Sequence, residues 1–536
     1  MKFLTRSLLI LLLLYGLVFA IGDLYLANAG APLWAAVAFV VGLIGFQFLI
    51  GPYVIDWVFT IQWVNLDHPA DARVWGLPEE SAAFITRLCA TRGLKVPRIG
   101  VIQSGTPNAF SFGHVPADAR VVVTSGLVDV LTIDELNAVI AHEIGHVEHW
   151  DFAVMMVASL VPMLLYQMYV FLRHDRNGRA IAYGAYLCYL VSQFVVLALN
   201  RTREYYADHY AADVTQAPGV LSSALVKIAC GLVRSEGDYA HAMSDKDADK
   251  KQARREHRLA GTLAVMGISN VRSGTALALG GADPAAATRV MQWDLVNPWA
   301  RLYELNSTHP LTAFRVKALN DEAVTMHQVP QYPFVDHPRI RWGMFPLEVF
   351  LWAAPVVAGI VMVMSLTAST SLRRFGIVVP IGIWAQVLLF IGVTWMVRIL
   401  YRYHGTPEPQ TIGTLIEDVE VSEMRPRAVR IQGTILGRGV PGAFWSPDLV
   451  VKDDTGMLFV LYRQSIPFAR LLFAVSAAEE LTDARVTIDG WFRRGMRPYI
   501  EMSRLTTAGG RTHRAYSRWV QLALAAACVA VGWLGM

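Results

Sequence analysis

His142, Glu143 and His146 stand within Ala141-His142-Glu143-Ile144-Gly145-His146, a His-Glu-x-x-His pattern. On a helix, residues four apart share a face, so both imidazoles can reach one ion at ~2.0–2.1 Å while the glutamate faces the water beside it. Zinc suits such donors: it polarises a carbonyl and lowers the pKa of a water to ~7, and Glu143 as general base would carry the proton to a leaving amine, a role worth ~10²–10⁴-fold. The pattern alone also arises in ordinary helices.

A catalytic zinc takes three protein ligands and keeps one position open. The metzincin extension would place Gly at 149 and His at 152, where this chain has His149 and Phe152, so that class is excluded. The alternative is a carboxylate from a separate helix. Asn200-Arg201-Thr202-Arg203-Glu204-Tyr205-Tyr206-Ala207-Asp208 supplies Glu204 as ligand. Asp208, one turn later on the same face, would accept from a metal-bound imidazole or a structural arginine. His149 and His209 compete for the third position, their plainer reading being helix surface near the membrane boundary.

Pro107-Asn108-Ala109-Phe110-Ser111-Phe112-Gly113, Val123-Thr124-Ser125-Gly126-Leu127 and Asp134-Glu135-Leu136 lead into the histidine motif, and Glu204 to Asp208 follows it. In these segments the chain resembles the M48 family of peptidases, with its membrane members of HtpX and CAAX-prenyl type, over residues 65 to 320. The resemblance implies a gluzincin fold with zinc on His142, His146 and Glu204. It also implies a cytoplasm-facing endopeptidase of a bacterial-type inner membrane, acting in quality control on membrane-associated or misfolded proteins. The family's later His-Pro and Arg match His309-Pro310 and Arg315. Arg315 would then pair near Asp208, and His309 would contact substrate or the developing oxyanion; its plainer reading is a loop residue before proline. The competing function is a non-catalytic zinc-containing membrane scaffold. Glu143 argues against it, because a structural site fills its fourth position and needs no base.

The elements that must position these residues are set by a membrane. Of the chain's 536 residues 54% are hydrophobic and 17% charged, and mean hydropathy is +0.38, which departs from soluble globular balance. A net charge of +4 without a clustered basic face speaks against nucleic acid as a partner. Crossing a bilayer takes ~20 mostly apolar residues. Leu8 to Ala29 and Leu33 to Ile50 qualify and pair as a hairpin within residues 1–64. Lys2, Arg6 and Ala27-Asn28-Ala29 also give the opening a signal-peptide look; a retained anchor is the preferred reading, because a second apolar run follows at once. Phe152 to Leu172 and Ile181 to Leu199 form a second hairpin, whose ends return the chain to one side so that His146 and Glu204 can meet. Leu347 to Leu366 and Phe375 to Leu400 form a third within residues 346–402, and Val520 to Trp533 a last, short span within 515–536. Lys and Arg beside the spans put the catalytic segments in the cytoplasm, although the turns at Arg173 to Arg179 and Arg373-Arg374 run against this.

Between the spans, residues 65–345 make the peptidase region. Helix is expected over Glu79 to Arg92 and Thr132 to His149, and strands over Arg98 to Gln103 and Arg120 to Thr124. The charge-dense run Ser244 to Arg258 reads as a solvated face or insert. In residues 405–510, strand-like runs at Ala428 to Leu436, Asp448 to Lys452, Met457 to Tyr462, Arg485 to Phe492 and Pro498 to Met502 suggest a small barrel of OB type. Neither the third hairpin, nor this barrel, nor the last span is expected of compact HtpX-type members. The expected fold is thus an α-helical polytopic membrane protein with an α+β gluzincin-type peptidase domain and a C-terminal small all-β, OB-like domain. Two motifs are set aside. Gly437-Arg438-Gly439-Val440-Pro441-Gly442 fits a phosphate loop, but no helix follows it. Asn297-Pro298 lacks the membrane span that an intramembrane site needs. Cys89, Cys188, Cys230 and Cys528 have no metal or disulfide spacing.

Overall fold

The computed structural model describes residues 33–66, 76–174, 178–244, 284–334, 342–373, 381–438, 447–464, 467–476, 480–495 and 497–536. The apolar run Leu8 to Ala29 with its signal-like end, the charged stretch beyond Ser244 and the turn Gly439 to Gly442 lie outside them. The chain divides into two compact units, Met1–Gly274 with Leu302–Phe334 and Thr275–Arg301 with Val335–Met536. Six helices among the described residues are long and apolar enough to cross a membrane. The protein is a multi-pass membrane protein.

In the first unit the apolar runs become α1 (Leu33–Val58), α4 (Asp151–Leu172) and α5 (Arg179–Thr215). α4 and α5 pack together as a hairpin. α5 does not stop at the apolar stretch: its 37 residues carry the chain without a break from the membrane segment through Glu204 and Asp208.

The soluble part is built on a four-stranded sheet of β1 (Gln62–Val64), β2 (Arg98–Ile102), β3 (Ala109–Phe112) and β4 (Arg120–Thr124), in the order β1-β2-β4-β3. Only β2 and β4 run parallel. Val121, Val122 and Val123 are all fully buried, so both sheet faces are covered, as a run of β-branched residues demands. Val121 and Val123 meet Ile85 and Leu88 of α2 (Glu79–Arg92), together with Leu136, Val139, Ile140 and Ile144 of α3 (Ile133–Glu148). Val122 faces Phe59, Phe110 and Phe112 on the other side. Adjacent strand residues point to opposite faces, which divides the two clusters.

α3 opens with a capping box: the Thr132 hydroxyl accepts from Glu135 N and the Glu135 carboxylate accepts from Thr132 N. Glu135 also accepts from Ser223 and Lys227 of α6 (Pro218–Ser244), which anchors the start of the helix that carries the histidines.

The second unit is interleaved in sequence with the first. α7 (Pro284–Val296) precedes the first unit's last helix, yet Trp293 donates to Val421 O at 2.7 Å and Asn297 to Val419 O at 3.1 Å. α8 (Phe345–Arg373) and α9 (Ile381–Arg402) supply two of the membrane-length helices. Beyond them β5 (Arg427–Arg438), β6 (Leu449–Asp453), β7 (Gly456–Leu461), β8 (Arg485–Arg494) and β9 (Pro498–Thr507) close into a ring, β5-β6-β7-β9-β8-β5. The pair β7–β9 is parallel and the rest are antiparallel, the topology of an OB-type barrel. α10 (Pro467–Ser476) links β7 to β8, and β10 (Thr512–Arg514) adds to β9. The last helix, α11 (Ser517–Leu534), packs on α9 through small residues. A Cβ at Gly532 would stand 2.6 Å from Leu389 N and one at Gly392 2.7 Å from Val529 N, so the helices approach as closely as their backbones allow.

Candidate metal centre

α3 places His142, Glu143 and His146 in the core, with His142 fully buried and the other two nearly so. Gly145 lets α5 come close: a Cβ there would lie 3.0 Å from Tyr210 Cδ1 and 3.3 Å from Ala207 Cα. Across this contact Glu204 Oε2 stands 3.7 Å from His142 Nε2, and Glu204 Oε1 3.6 Å from His146 Nε2. Ligand atoms from the three residues all lie within 4.8 Å of one another.

His142 Nε2 and Glu204 Oε2 are both buried without a hydrogen-bond partner, although burying an unsatisfied polar atom is costly. Their separation is too long for a direct hydrogen bond and suits two donors on one ion. The electrostatics agree. Burial disfavours a charged His142, yet the carboxylates of Asp208 and Glu204 overcome it and push its pKa up to about 9. The pocket therefore favours a cation. Two imidazoles and a carboxylate are a zinc donor set, so the residues fit the metal implied by the sequence.

Around these three, each histidine has a carboxylate beside its other nitrogen. His142 Nδ1 lies 3.0 Å from Asp208 Oδ1. Arg315, from the helix Thr312–Thr325, donates Nε to Asp208 Oδ2 at 2.8 Å and Nη2 to Oδ1 at 2.6 Å. The neighbouring carboxylates raise the Arg315 pKa further despite burial, so the guanidinium stays charged. His146 Nδ1 sits 2.5 Å from Asp151 Oδ2, which Arg203 Nε approaches at 3.0 Å. Asp151 and Arg203 were not singled out from sequence. Asp151 opens an apolar span and reads as a boundary charge; it reaches His146 because Trp150 takes a left-handed conformation, φ 59°, between α3 and α4.

His309 comes to the same place, with Nδ1 3.3 Å from Glu204 Oε1. Its loop is tied to α5: Asn200 donates to Thr308 O at 2.7 Å, and Arg201 to Glu304 O at 2.8 Å and Ser307 O at 2.9 Å. The two competing histidines stand apart. His209 Nδ1 is 2.7 Å from Glu322 with its side chain 70% exposed, and His149 is exposed beside Tyr206 and Tyr210.

The model of peptidase family M48 matches residues 79–323. The "Protease HtpX homolog" of Methanothermobacter thermautotrophicus is 35% identical over 233 residues, which cover 42% of this chain and 86% of that protein. The "Protease HtpX homolog" of Aeropyrum pernix is 29% identical over 337 residues, covering 58% of this chain and 97% of that one. Among solved structures, S. mikatae Ste24p is 16% identical with a TM-score of 0.37, over 59% of this chain and 65% of that one. Matched along most of a relative's length at this identity, and carrying six membrane-length helices among its described residues, the chain belongs to peptidase family M48 as one of its membrane-bound metalloproteases.

Proposed function

We propose that the protein is a zinc endopeptidase in which His142, His146 and Glu204 hold the metal and Glu143 is the general base. The observation that carries this reading is the convergence of three ligand atoms within 4.8 Å, two of them buried without a hydrogen bond, with Arg315 Nη1 3.4 Å from Glu204 Oε2. Bound there, zinc would polarise the scissile carbonyl and acidify the attacking water. Glu143, one residue from His142, takes the water's proton on its carboxylate and returns it to the leaving nitrogen. His309 keeps Nδ1 toward Glu204, which leaves Nε2 to donate to substrate or to the oxygen on which charge develops. Asp208 and Asp151 hold the imidazole rings in place, and Arg315 fixes Asp208.

The substrates are proteins or peptides at the membrane, misfolded chains among them, in quality control of a bacterial-type inner membrane with the site facing the cytoplasm. Membrane substrates fit a site whose third ligand rides on a helix continuous with a membrane segment. The test is made on the full chain in detergent, with zinc content and casein cleavage measured together. Glu143→Gln should keep zinc and lose ~10²–10⁴-fold in rate. Glu204→Ala should lose zinc and activity, and His209→Ala neither. Zinc loss in Glu143→Gln, or the reverse result for Glu204 and His209, would overturn the assignment.

A further inference from the structure

In the second unit, a cavity of about 200 Å³ lies between the barrel and the start of α11, and a neighbouring one of about 420 Å³ shares Arg463 and Ser517 with it. Arg463, Arg504, Arg514 and Arg518 line the first. Arg504 of β9 and Arg514 of β10 are register partners, and like charges directly opposite in a sheet are destabilising. The carboxylate in that wall, Glu501, is already committed to the Tyr403 hydroxyl and to Arg493. Arg518 packs its guanidinium 5.3 Å from the Trp519 ring and 5.7 Å from Trp491, with Nε buried and lacking a hydrogen-bond partner. Arg463 is offset by Glu501 and by Asp448 of the neighbouring cavity, so the excess positive charge in this concave place is that of Arg504, Arg514 and Arg518.

That place lies where membrane-length helices begin and end. α11 starts at Ser517, and its early turns meet the last turns of α9 through Ile399, Tyr403, Leu522 and Ala525. Tyr516 and Trp519 are exposed there, as aromatic side chains are at a lipid–water boundary. Farther along α11, Leu524 and Val531 present an apolar face on which acyl chains can lie.

We propose that this cavity binds the phosphate headgroup of an anionic phospholipid, so that the barrel unit is tied to acidic lipid at the membrane surface. Basic pockets beside membrane helices have this chemistry. The test uses the full chain in uncharged detergent, reading Tm against added phosphatidylglycerol, phosphatidylcholine or inorganic phosphate. Phosphatidylglycerol should raise Tm saturably, and the other two should not. The double variant Arg504→Ala/Arg514→Ala should keep or raise its lipid-free Tm, because a like-charge pair is removed, and should need roughly 25-fold more phosphatidylglycerol, about fivefold per arginine. Lysine at both positions should restore most of the response. An equal shift with phosphatidylcholine, a full shift with inorganic phosphate, an unchanged response of the double variant, or a fall in its lipid-free Tm would each overturn the proposal.

Discussion

Each histidine of the centre has a carboxylate on Nδ1, Asp208 for His142 and Asp151 for His146, which turns both Nε2 atoms toward Glu204. The two supports differ in how far sequence reveals them. Glu204 and Asp208 lie one turn apart on a helix, so their shared face follows from spacing. Asp151 depends on the left-handed Trp150, a conformation that costs a bulky residue energy and has no local signal. If Asp151 orients His146, then Asp151→Asn should weaken zinc binding ~10–100-fold with little change in fold; a competition titration with a chelator measures it. Protons act here too. The metal-free His142 has its pKa raised to about 9, so a proton must leave before Nε2 can bind a metal. Zinc affinity should therefore rise about tenfold per pH unit up to about pH 9 and level off above it, as followed by titration in weakly coordinating buffers. A flat profile from neutral pH upward would mean that the site does not hold that proton.

α3 and α5 meet at a glycine, and that contact sets the distance between histidines and glutamate. Gly145→Leu must displace Tyr210 or Ala207, whose atoms lie 3.0 and 3.3 Å from the position of the new Cβ. Overpacking of this kind costs ~1–3 kcal/mol, and zinc affinity should fall more than thermal stability does; equal zinc content in a folded variant would disprove the role given to this contact. β2, β4 and the five barrel strands were legible because they are short β-branched or alternating runs between turns, whereas β1 and β3, three and four residues long, are too short to show an alternation and do not read as strands from sequence. What the sequence does not disclose is that α5 is one rod. The apolar stretch to Leu199 and the polar stretch after Asn200 differ in hydropathy, and hydropathy marks the solvent around a helix rather than the end of it. Helical hydrogen bonding runs through the boundary with no proline or glycine to break it.

The two ends of α4 fix what lies across the membrane from the site. Asp151 at its start touches His146, and 22 residues span about 33 Å, enough to cross the hydrocarbon. If the proposed cytoplasmic orientation holds, then with the native cysteines replaced His174→Cys should react with an impermeant maleimide in intact cells, and Val329→Cys only after permeabilisation; the opposite labelling would invert the orientation. The division of the chain was only partly readable, since α7 is separated by the first unit's last helix from the barrel segments that receive it. Trp293 waits for Val421, 128 residues later. At ~5–20 residues/s of synthesis that is about 6–26 s. During this interval the ribosome has delivered every residue of the peptidase unit through Phe334, while Trp293, buried in the finished protein, has neither its Val421 acceptor nor the barrel's Arg494 against its ring. The order of translation therefore lets the protease close first, leaving the nascent chain with an exposed apolar helix that the cell must shelter until the last strands are made.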